Sequence, residues 1–369
     1  MQRIPVTILT GFLGAGKTTV LNRLMAEPGF GATAVVVNEF GEAGIDGGLV
    51  AQADERAFAM STGCLCCTVS GDVRLTLLRL LDEAERGVGP SFDRIVIETT
   101  GLADPLPLLQ TFMTSDIILE RFTLNGVVTV VDTVNGADAI ERFPEAQRQL
   151  AVADLILVTK SDLAEDPASR RDLGKLKADL AQRNPNAQLF EVDEATPEMV
   201  FSLAAFDPSG KPPDVQDWLR FDRQSAHHDG SDHHHHDHHH HDHHHHHDVN
   251  RHGDTASAYC FSASGSVDPW ALEDAVRALQ STFGRNLLRM KGLVEVEDHP
   301  TEPRLLHVVG HISSPPRLLD SWPAGVEETR IVLIVGGPGR DEAPKMLSRL
   351  LPELHPFTAA AAAKEASQA

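Results

Sequence analysis

The chain has 369 residues, a length that suggests two or three domains with sizeable hydrophobic cores. Its 53 acidic and 32 basic residues give it a formal net charge of −21. Nucleic acids and anionic membrane surfaces repel a chain this acidic, so neither is expected as a partner.

The apolar residues and the cysteines are distributed as expected for a cytoplasmic protein. The N-terminus lacks the charged, apolar and small-residue regions of a signal peptide, and no apolar run is long enough to span a bilayer. Three of the four cysteines lie within four positions. That spacing favours a metal or redox site in a reducing compartment over a disulfide framework.

Apolar runs alternate with amphipathic stretches over residues 1–205. The predicted strands cover residues 4–9, 34–37, 94–97, 126–131 and 155–159, and the predicted helices cover 17–25, 72–85 and 145–152. This alternation is typical of βαβ units, so we predict an α/β domain of the P-loop NTPase class with a mostly parallel sheet. Ligands of such sheets bind at the carboxyl ends of the strands.

The rest of the chain divides into a linker, a small domain and a tail. Residues 206–255 are rich in Pro, Asp, Gly and His, a composition that predicts a mobile linker. Residues 256–352 are predicted to form a small α+β domain, with strands at 258–262, 287–296, 304–312 and 329–335 and helices at 268–283 and 341–351. The Ala-rich tail, residues 353–369, is predicted to be disordered.

A phosphate-binding loop follows the first predicted strand. Residues 11–18 match G-x-x-x-x-G-K-[ST] between a strand and a helix, the context that this motif requires. Its backbone N–H groups and the helix N-terminus suit phosphate oxygens, while Lys17 reaches the β- and γ-phosphates and Thr18 ligates Mg²⁺. The candidate nucleotide-binding residues are Gly11, Gly14, Ala15, Gly16, Lys17, Thr18 and Thr19, the last for the α-phosphate.

The tetrapeptide Thr159-Lys160-Ser161-Asp162 is similar to the N-K-x-D guanine motif of GTPases. The Asp162 carboxylate can accept hydrogen bonds from guanine N1–H and the 2-amino group, which adenine lacks, so GTP is the expected nucleotide. Lys160 would lie over the base. Thr159 replaces the usual Asn and is expected to lose an amide that braces the loop.

Glu98 ends a predicted strand and is followed closely by Gly101. In P-loop enzymes this place holds an acidic residue near Mg²⁺ and a loop that senses the γ-phosphate. Glu98 could hold a Mg²⁺-bound water or orient the attacking water, and the Gly101 N–H could contact the γ-phosphate. The alternative is a surface Glu at a strand end. Asp132, at the end of another strand, is interpreted as structural.

Cys64, Cys66 and Cys67 form a C-x-C-C cluster before the predicted helix at 72–85. Three thiols at this spacing could converge on one ion from a single turn, and thiolates select Zn²⁺ and other soft or borderline ions. Three ligands leave a tetrahedral position open, which suits an ion that is passed on. The alternatives are buried small residues or a redox pair. Cys260, alone in a predicted strand, is interpreted as core packing.

The glycine-containing segment 38–46 follows the second predicted strand, where a P-loop GTPase carries a switch. Its carboxylates could ligate Mg²⁺ or complete the cysteine site in one nucleotide state. Glu39 or Glu42 is therefore a hypothetical fourth ligand.

A histidine tract lies in the linker, in three blocks separated by single Asp residues. Neutral imidazoles at this density form a flexible ligand for Zn²⁺, Ni²⁺, Co²⁺ or Cu²⁺, weaker than the thiolates because ordering the tract costs entropy. A soluble spacer is the alternative. The secondary metal candidates are His233, His234, His238, His239, His243 and His244.

Together these segments resemble the CobW family of metal-handling GTPases, relatives of the UreG and HypB nickel-insertion proteins. The resemblance rests on GFLGAGKTT (11–19), NEFGEAGID (38–46), GCLCC (63–67), ETTGLADP (98–105), TKSD (159–162) and LLRMKG (287–292). Gly47 departs from it, since many members carry His there.

The resemblance implies a GTPase domain, a CobW C-terminal domain, and zinc or cobalt delivered from the cysteine motif to a client apoprotein, with homo-oligomers left open. The alternatives are a metal-storage protein with a regulatory nucleotide site, a cobalt-handling step of cobalamin synthesis, and a small-molecule kinase.

Overall fold

A computed structural model places two packed sheets, one in each predicted domain. It describes residues 3–38, 57–59, 65–69, 72–89, 91–164, 166–203, 256–322 and 328–356. Among these residues, no helix combines the length and the apolar character that crossing a bilayer requires.

The first sheet has eight strands among the described residues. They are β1 (Ile4–Gly11), β2 (Thr33–Asn38), β3 (Ala57–Ala59), β4 (Leu65–Val69), β5 (Arg94–Thr99), β6 (Phe122–Asp132), β7 (Leu155–Thr159) and β8 (Gln188–Glu191). The spatial order is β3-β4-β2-β5-β1-β6-β7-β8, and every pair except β3-β4 is parallel. β1 therefore lies between β5 and β6, and the phosphate loop at its end lies beside the end of β5.

Helices cover this sheet. They are α1 (Lys17–Met25), α2 (Val73–Glu85), α3 (Leu106–Thr114), α4 (Asp116–Arg121), α5 (Gly136–Arg142), α6 (Pro144–Ala151), α7 (Pro167–Arg183) and α8 (Pro197–Phe201). Side chains cap several of them: Asp72 accepts from Arg74 N ahead of α2, and Asp166 accepts from Ala168 N and Ser169 N at the start of α7. The predicted βαβ domain is confirmed, and α1 has the bounds that the sequence predicts.

The described residues of the C-terminal domain form an antiparallel sheet with two helices. Its strands are β9 (Ser257–Ala263), β10 (Leu287–Val296), β11 (His299–Val309), β12 (Ile312–Ser313), β13 (Arg317–Leu318), β14 (Thr329–Val335) and β15 (His355–Pro356), and its helices are α9 (Pro269–Phe283) and α10 (Glu342–Leu350). The order is β12-β11-β10-β14-β9-β15, with β13 paired to β11. This agrees with the predicted α+β class, although β15 extends the sheet beyond the predicted domain end at residue 352.

The two faces of this sheet have different neighbours. One face packs on α9 and α10 through Leu279, Met290 and Leu347. The other contributes Leu293 and Val309 to a core shared with the first domain, which includes Leu109 and Phe112 of α3. The domains are therefore joined by a common hydrophobic core. Cys260 packs against that core, as predicted.

Candidate nucleotide and metal sites

The turn after β1 has the backbone conformation of a phosphate loop. Gly14 and Gly16 have φ of 73° and 91°, a left-handed region that favours glycine. A Cβ at Gly11 would lie 2.3 Å from Val130 O, so only glycine fits there. Gly16 caps α1 without a side-chain hydrogen bond, which leaves the first amides of that helix available to an anion.

Lys17 lies inside this loop and is 9% exposed. Its Nζ donates to Gly11 O at 2.9 Å and to Phe12 O at 3.2 Å. Burial lowers the pKa of Lys17, and the nearby Glu98 charge acts in the opposite direction. The ammonium group is thus held by neutral carbonyls, which it can exchange for phosphate oxygens.

Thr18 and Glu98 meet at the ends of α1 and β5. The Thr18 hydroxyl donates to Glu98 Oε1 at 2.6 Å, and Glu98 is 4% exposed. The second carboxylate oxygen, Glu98 Oε2, is buried and has no hydrogen-bond partner among the described residues. A buried acceptor of this kind calls for a donor or a cation. Because Mg²⁺ prefers hydroxyl and carboxylate oxygens, this pair fits the ion that the phosphate loop implies.

The loop after β5 packs directly on the phosphate loop. A Cβ at Gly101 would lie 2.7 Å from Leu13 N, so the approach requires glycine. Gln149 of α6 donates to Gly101 O at 3.1 Å and to Ala103 O at 3.0 Å. The structure therefore brings Lys17, Glu98 and Gly101 together around one loop system.

The candidate guanine segment contacts the phosphate loop from the end of β7. Thr159 Oγ1 donates to Ala15 O at 2.7 Å. We predicted that threonine in place of asparagine would lose a brace. This is wrong for the loop, because the hydroxyl itself supplies one. Asp162 lies exposed in a short 3₁₀ turn (Ser161–Leu163), where its carboxylate faces solvent.

Asp132 is structural, as predicted, and it also positions the guanine segment. Its Oδ1 accepts from Val134 N at 2.9 Å and Asn135 N at 2.7 Å, which fixes the turn after β6. Its Oδ2 lies 3.6 Å from Lys160 Nζ. Lys160 has a φ of 59°, so the ion pair helps to hold a residue in an uncommon backbone conformation.

The cysteine cluster lies on a strand in its described part. Cys66 and Cys67 belong to β4, which pairs in parallel with β2 and antiparallel with β3. Our prediction that a single turn presents all three thiols is wrong for these two residues. Cys64, Glu39, Glu42 and the histidine candidates lie outside the described residues. Within the described part of the chain, no three His, Cys, Asp or Glu side chains cluster as a metal site.

Sheet register links β4 to the strand that carries Glu98. Thr68, the residue after Cys67, pairs with Val37 of β2, and Val37 pairs with Glu98 of β5. β4 and β5 are two strand spacings apart, about 10 Å. The cysteine strand and the carboxylate therefore belong to one continuous hydrogen-bonded ladder.

Comparison with known families agrees with this arrangement. The model for the CobW/HypB/UreG nucleotide-binding domain matches residues 5–191, and the model for the cobalamin synthesis protein cobW C-terminal domain matches residues 256–353. The chain belongs to the CobW family. Its nucleotide-binding domain has the phosphate loop and the sheet of a P-loop GTPase.

Individual relatives of this CobW-family chain are similar to it over different lengths. "Zinc chaperone YjiA" of Escherichia coli (strain K12) is 41% identical over 192 residues, which cover 52% of this chain and 58% of that protein. The chain thus spans little more than half the length of that relative. "Zinc chaperone CobW" of Sinorhizobium sp is 28% identical over 372 residues, covering 92% of this chain and 95% of that one.

A solved structure extends the likeness to both domains. The crystal structure of Zn(II)-bound YjiA GTPase from E. coli is 29% identical in sequence and matches with a TM-score of 0.67. The match covers 95% of this chain and 99% of that one. The arrangement of the CobW-family domains in this chain is therefore also found in that GTPase.

Sequence reasoning missed several residues that support the site. Thr99 donates to Thr10 at 2.8 Å inside the sheet, and Gln149 holds the loop around Gly101. These contacts join residues between 48 and 89 positions apart, and polar residues in isolation give no signal of such pairing. The position of Asp132 at a strand end led to a structural interpretation, but it gives no signal of the contact with Lys160.

Proposed function

We propose that this CobW-family protein hydrolyses GTP to drive delivery of zinc from Cys64, Cys66 and Cys67 to a client apo-metalloprotein. The observation that carries the proposal is the register that joins β4, which bears Cys66 and Cys67, to Glu98 through β2. A rearrangement at the γ-phosphate end of β5 can reach the metal strand through this ladder. The zinc-chaperone names of its relatives support the choice of cargo.

GTP is the substrate, and this chain's residues bind and orient it. The amides of residues 14–19 and the N-terminus of α1 receive the phosphates, and Lys17 gives up Gly11 O and Phe12 O for phosphate oxygens. Thr18 and Glu98 would hold Mg²⁺, which neutralises the charge that develops on the phosphates. The alternative role of Glu98, orienting the attacking water, uses the same buried oxygen.

The base is selected at the end of β7. Asp162 accepts from the guanine N1–H and 2-amino group, and the Lys160 stem lies over the base. Thr159 ties this segment to the phosphate loop through Ala15 O, so base and phosphates bind to one braced unit. Gly101 N–H contacts the γ-phosphate, from a loop already packed on Leu13.

Zinc release follows from a difference in metal affinity between nucleotide states. With GTP bound, segment 38–46 closes on the cysteines and Glu39 or Glu42 supplies the fourth ligand. After hydrolysis the segment relaxes and the client takes the ion. Such coupling requires an affinity ratio of roughly 5 to 150 between the states. The same thiolate set accepts cobalt, and competition between the two ions in each nucleotide state measures the preference.

Zinc release during a single GTP turnover tests this proposal. Purified zinc-loaded protein is mixed with GTP and a chelating dye, and zinc appearance is compared with phosphate release. The proposal predicts that the two coincide and that a non-hydrolysable analogue prevents zinc release. Equal release with GTP, GDP and the analogue would leave a zinc-buffering protein with a regulatory nucleotide site.

Variants of the proposed ligands show which of them bind zinc in each nucleotide state. Replacing Cys64, Cys66 and Cys67 with Ser should abolish tight binding in both states. Glu39→Ala or Glu42→Ala should weaken it with the analogue only. Unchanged zinc affinity in both Ala variants would remove these carboxylates from the site.

The histidine tract is proposed as a local zinc reservoir that includes His233, His234, His238, His239, His243 and His244. Deleting residues 227–248 should lower zinc stoichiometry and leave basal GTP hydrolysis unchanged. A variant of full linker length with Ser in place of each His of this segment controls for linker length. Loss of hydrolysis in both variants would contradict a separate reservoir.

A further inference from the structure

A buried ion cluster lies where the two domains meet. Asp154, immediately before β7, accepts from Arg289 at 3.0 Å and from Lys291 at 2.5 Å, both on β10. Asp154 also accepts from Val127 N at 2.9 Å, and Arg289 donates to Val152 O. Each of the three charged residues is at least nine-tenths buried. Two cations thus share one carboxylate away from water.

A cavity of about 330 Å³ opens beside this cluster. Its charged lining consists of Arg3, Arg289, Lys291, Arg317 and Asp154. Among the described lining residues there are therefore four cations and a single carboxylate. This excess of positive charge stands out in a chain whose net charge is −21, and it makes the cavity attractive to anions.

Two buried nitrogen atoms of cavity-lining residues have no hydrogen-bond partner among the described residues. They are Arg289 Nε, on a side chain that is 5% exposed, and Nε2 of His307. Both residues line the cavity. Buried polar atoms of this kind are usually satisfied. A ligand oxygen could accept from Arg289 Nε–H, and from His307 Nε2 in the tautomer that carries its proton there. Burial, followed by the charges of Arg289 and Lys291, lowers the pKa of His307 well below its usual value, so the ring is neutral.

We propose that this cavity is a binding site for a small phosphate dianion, free or as a monoester, held between the two domains. A dianion suits a lining with three more positive than negative charges better than a monoanion does. The Arg289 guanidinium can pair with phosphate oxygens while keeping Asp154, because guanidinium groups carry five donors. The site lies at the opposite end of β7 from the guanine segment and is separate from the phosphate loop.

The rest of the lining favours an ester over free phosphate. Apolar side chains form one wall, among them Phe112, Met113, Leu119 and Phe122. An organic group on the phosphate would cover this wall and gain affinity from the apolar area that it buries. Contact with residues of both domains would make the bound ligand a bridge across the shared core.

Calorimetric titration of the full-length protein tests this site. The protein is first saturated with GDP and Mg²⁺, so that the phosphate loop is occupied. Inorganic phosphate, phenyl phosphate and benzoate are then titrated separately. We expect one saturable site per chain, with phenyl phosphate binding more tightly than phosphate. Benzoate should bind about tenfold more weakly than phenyl phosphate, because it carries one charge fewer.

Paired variants identify the place of binding. Arg3→Gln with Arg317→Gln removes two cavity cations that are not part of the buried cluster, and should weaken phenyl phosphate about tenfold or more. Arg142→Gln with Arg349→Gln removes the same charge from exposed positions outside the cavity and should change affinity less than about twofold. The single variant Arg3→Gln gives an intermediate loss, and it replaces the double variant if that one fails to fold.

Three results would overturn the proposal. The first is the absence of saturable binding of any probe to the GDP-bound protein. The second is an equal loss of affinity in the cavity and control variants. The third is benzoate binding as tight as that of phenyl phosphate.

Discussion

At the carboxyl ends of the parallel strands, the buried charges of Lys17 and Glu98 are held mainly by neutral groups. At the amino ends of the same sheet, Asp154 is held by two cations. Lys17 donates to carbonyls, and one oxygen of Glu98 has no partner in the part of the chain that the structure describes. Asp154, by contrast, accepts from Arg289, Lys291 and a backbone amide.

This difference separates a nucleotide site from an ion pair that connects the two domains. Lys17 and Glu98, at the carboxyl ends of the strands, can exchange their present partners for a ligand at little structural cost. The paired Asp154 holds β10 of the second domain on β7 of the first, so its loss leaves charges buried without compensation. Substitutions at the carboxyl ends of the strands should therefore affect activity, and substitutions at the amino ends should affect stability.

The largest expected effect is a loss of stability when Asp154, at the amino ends of the strands, is replaced. Asp154→Asn leaves Arg289 and Lys291 without their carboxylate and should lower the free energy of unfolding by about 3–5 kcal/mol. Urea unfolding measures this loss. Asp172→Asn, which removes an exposed carboxylate of the same domain, should cost less than about 0.5 kcal/mol. Similar losses in the two variants would show that Asp154 does not hold the two domains together.

The next largest effect is a loss of GTP hydrolysis when Glu98, at the carboxyl ends of the strands, is replaced. Glu98→Gln removes the charge of the proposed Mg²⁺ or water ligand and should lower the kcat of GTP hydrolysis about 100-fold. Its unfolding free energy should not fall, because the substitution removes a buried charge whose second oxygen has no partner within the described ranges. The exposed Glu120→Gln is the matched control. A full-activity Glu98→Gln protein would exclude this carboxylate from the chemistry.

The ion pairs of Asp154 with Arg289 and Lys291 also predict a pH dependence of stability. Burial alone would raise the pKa of Asp154, but the charges of Arg289 and Lys291 outweigh it and lower that pKa to about 2. A lowered folded-state pKa stabilises the fold above the unfolded value near 3.8, and the stabilisation is lost as pH falls towards 2. The shift corresponds to about 2–3 kcal/mol.

Urea unfolding at several pH values checks this. The stability difference between wild type and Asp154→Asn should be constant above about pH 5 and should shrink as pH falls towards about 2. A difference that is unchanged throughout this range would show that Asp154 does not titrate as an ion-paired group.

The smallest effect concerns the choice of base. Asp162→Asn weakens hydrogen bonds to the guanine donors, and should reduce the preference for GTP over ATP about tenfold or more. The ratio of kcat/KM for the two nucleotides measures it, with Asp172→Asn as control. Because Asp162 is exposed, no change in stability is expected. An unaltered ratio would place base selection elsewhere.

The part of the fold that local sequence patterns predict is the nucleotide-binding unit. Glycines at fixed positions and one amphipathic face define β1, the phosphate loop and α1. α3 was not predicted because apolar residues dominate it, which leaves little polar face to mark an amphipathic helix. Its buried residues are Leu106, Leu108, Leu109, Phe112 and Met113.

The parts that could not be predicted depend on contacts between distant residues. Arg289 and Asp154 are 135 positions apart, and neither lies in a pattern that identifies its partner. The cysteine run was interpreted mainly as a source of ligands, which obscured its apolar and β-branched neighbours in a strand, Leu65, Thr68 and Val69. A strand of five residues is too short for its alternation to outweigh such a motif.

The account depends most directly on the coupling between the β4 strand and the nucleotide. We would measure the zinc dissociation constant of the full-length protein with GDP and with a non-hydrolysable GTP analogue, using the variant with Ser at positions 64, 66 and 67 as control. The account predicts at least about a fivefold difference between the two nucleotides, absent from the Ser variant. Equal zinc affinity with both nucleotides in the wild-type protein would contradict it.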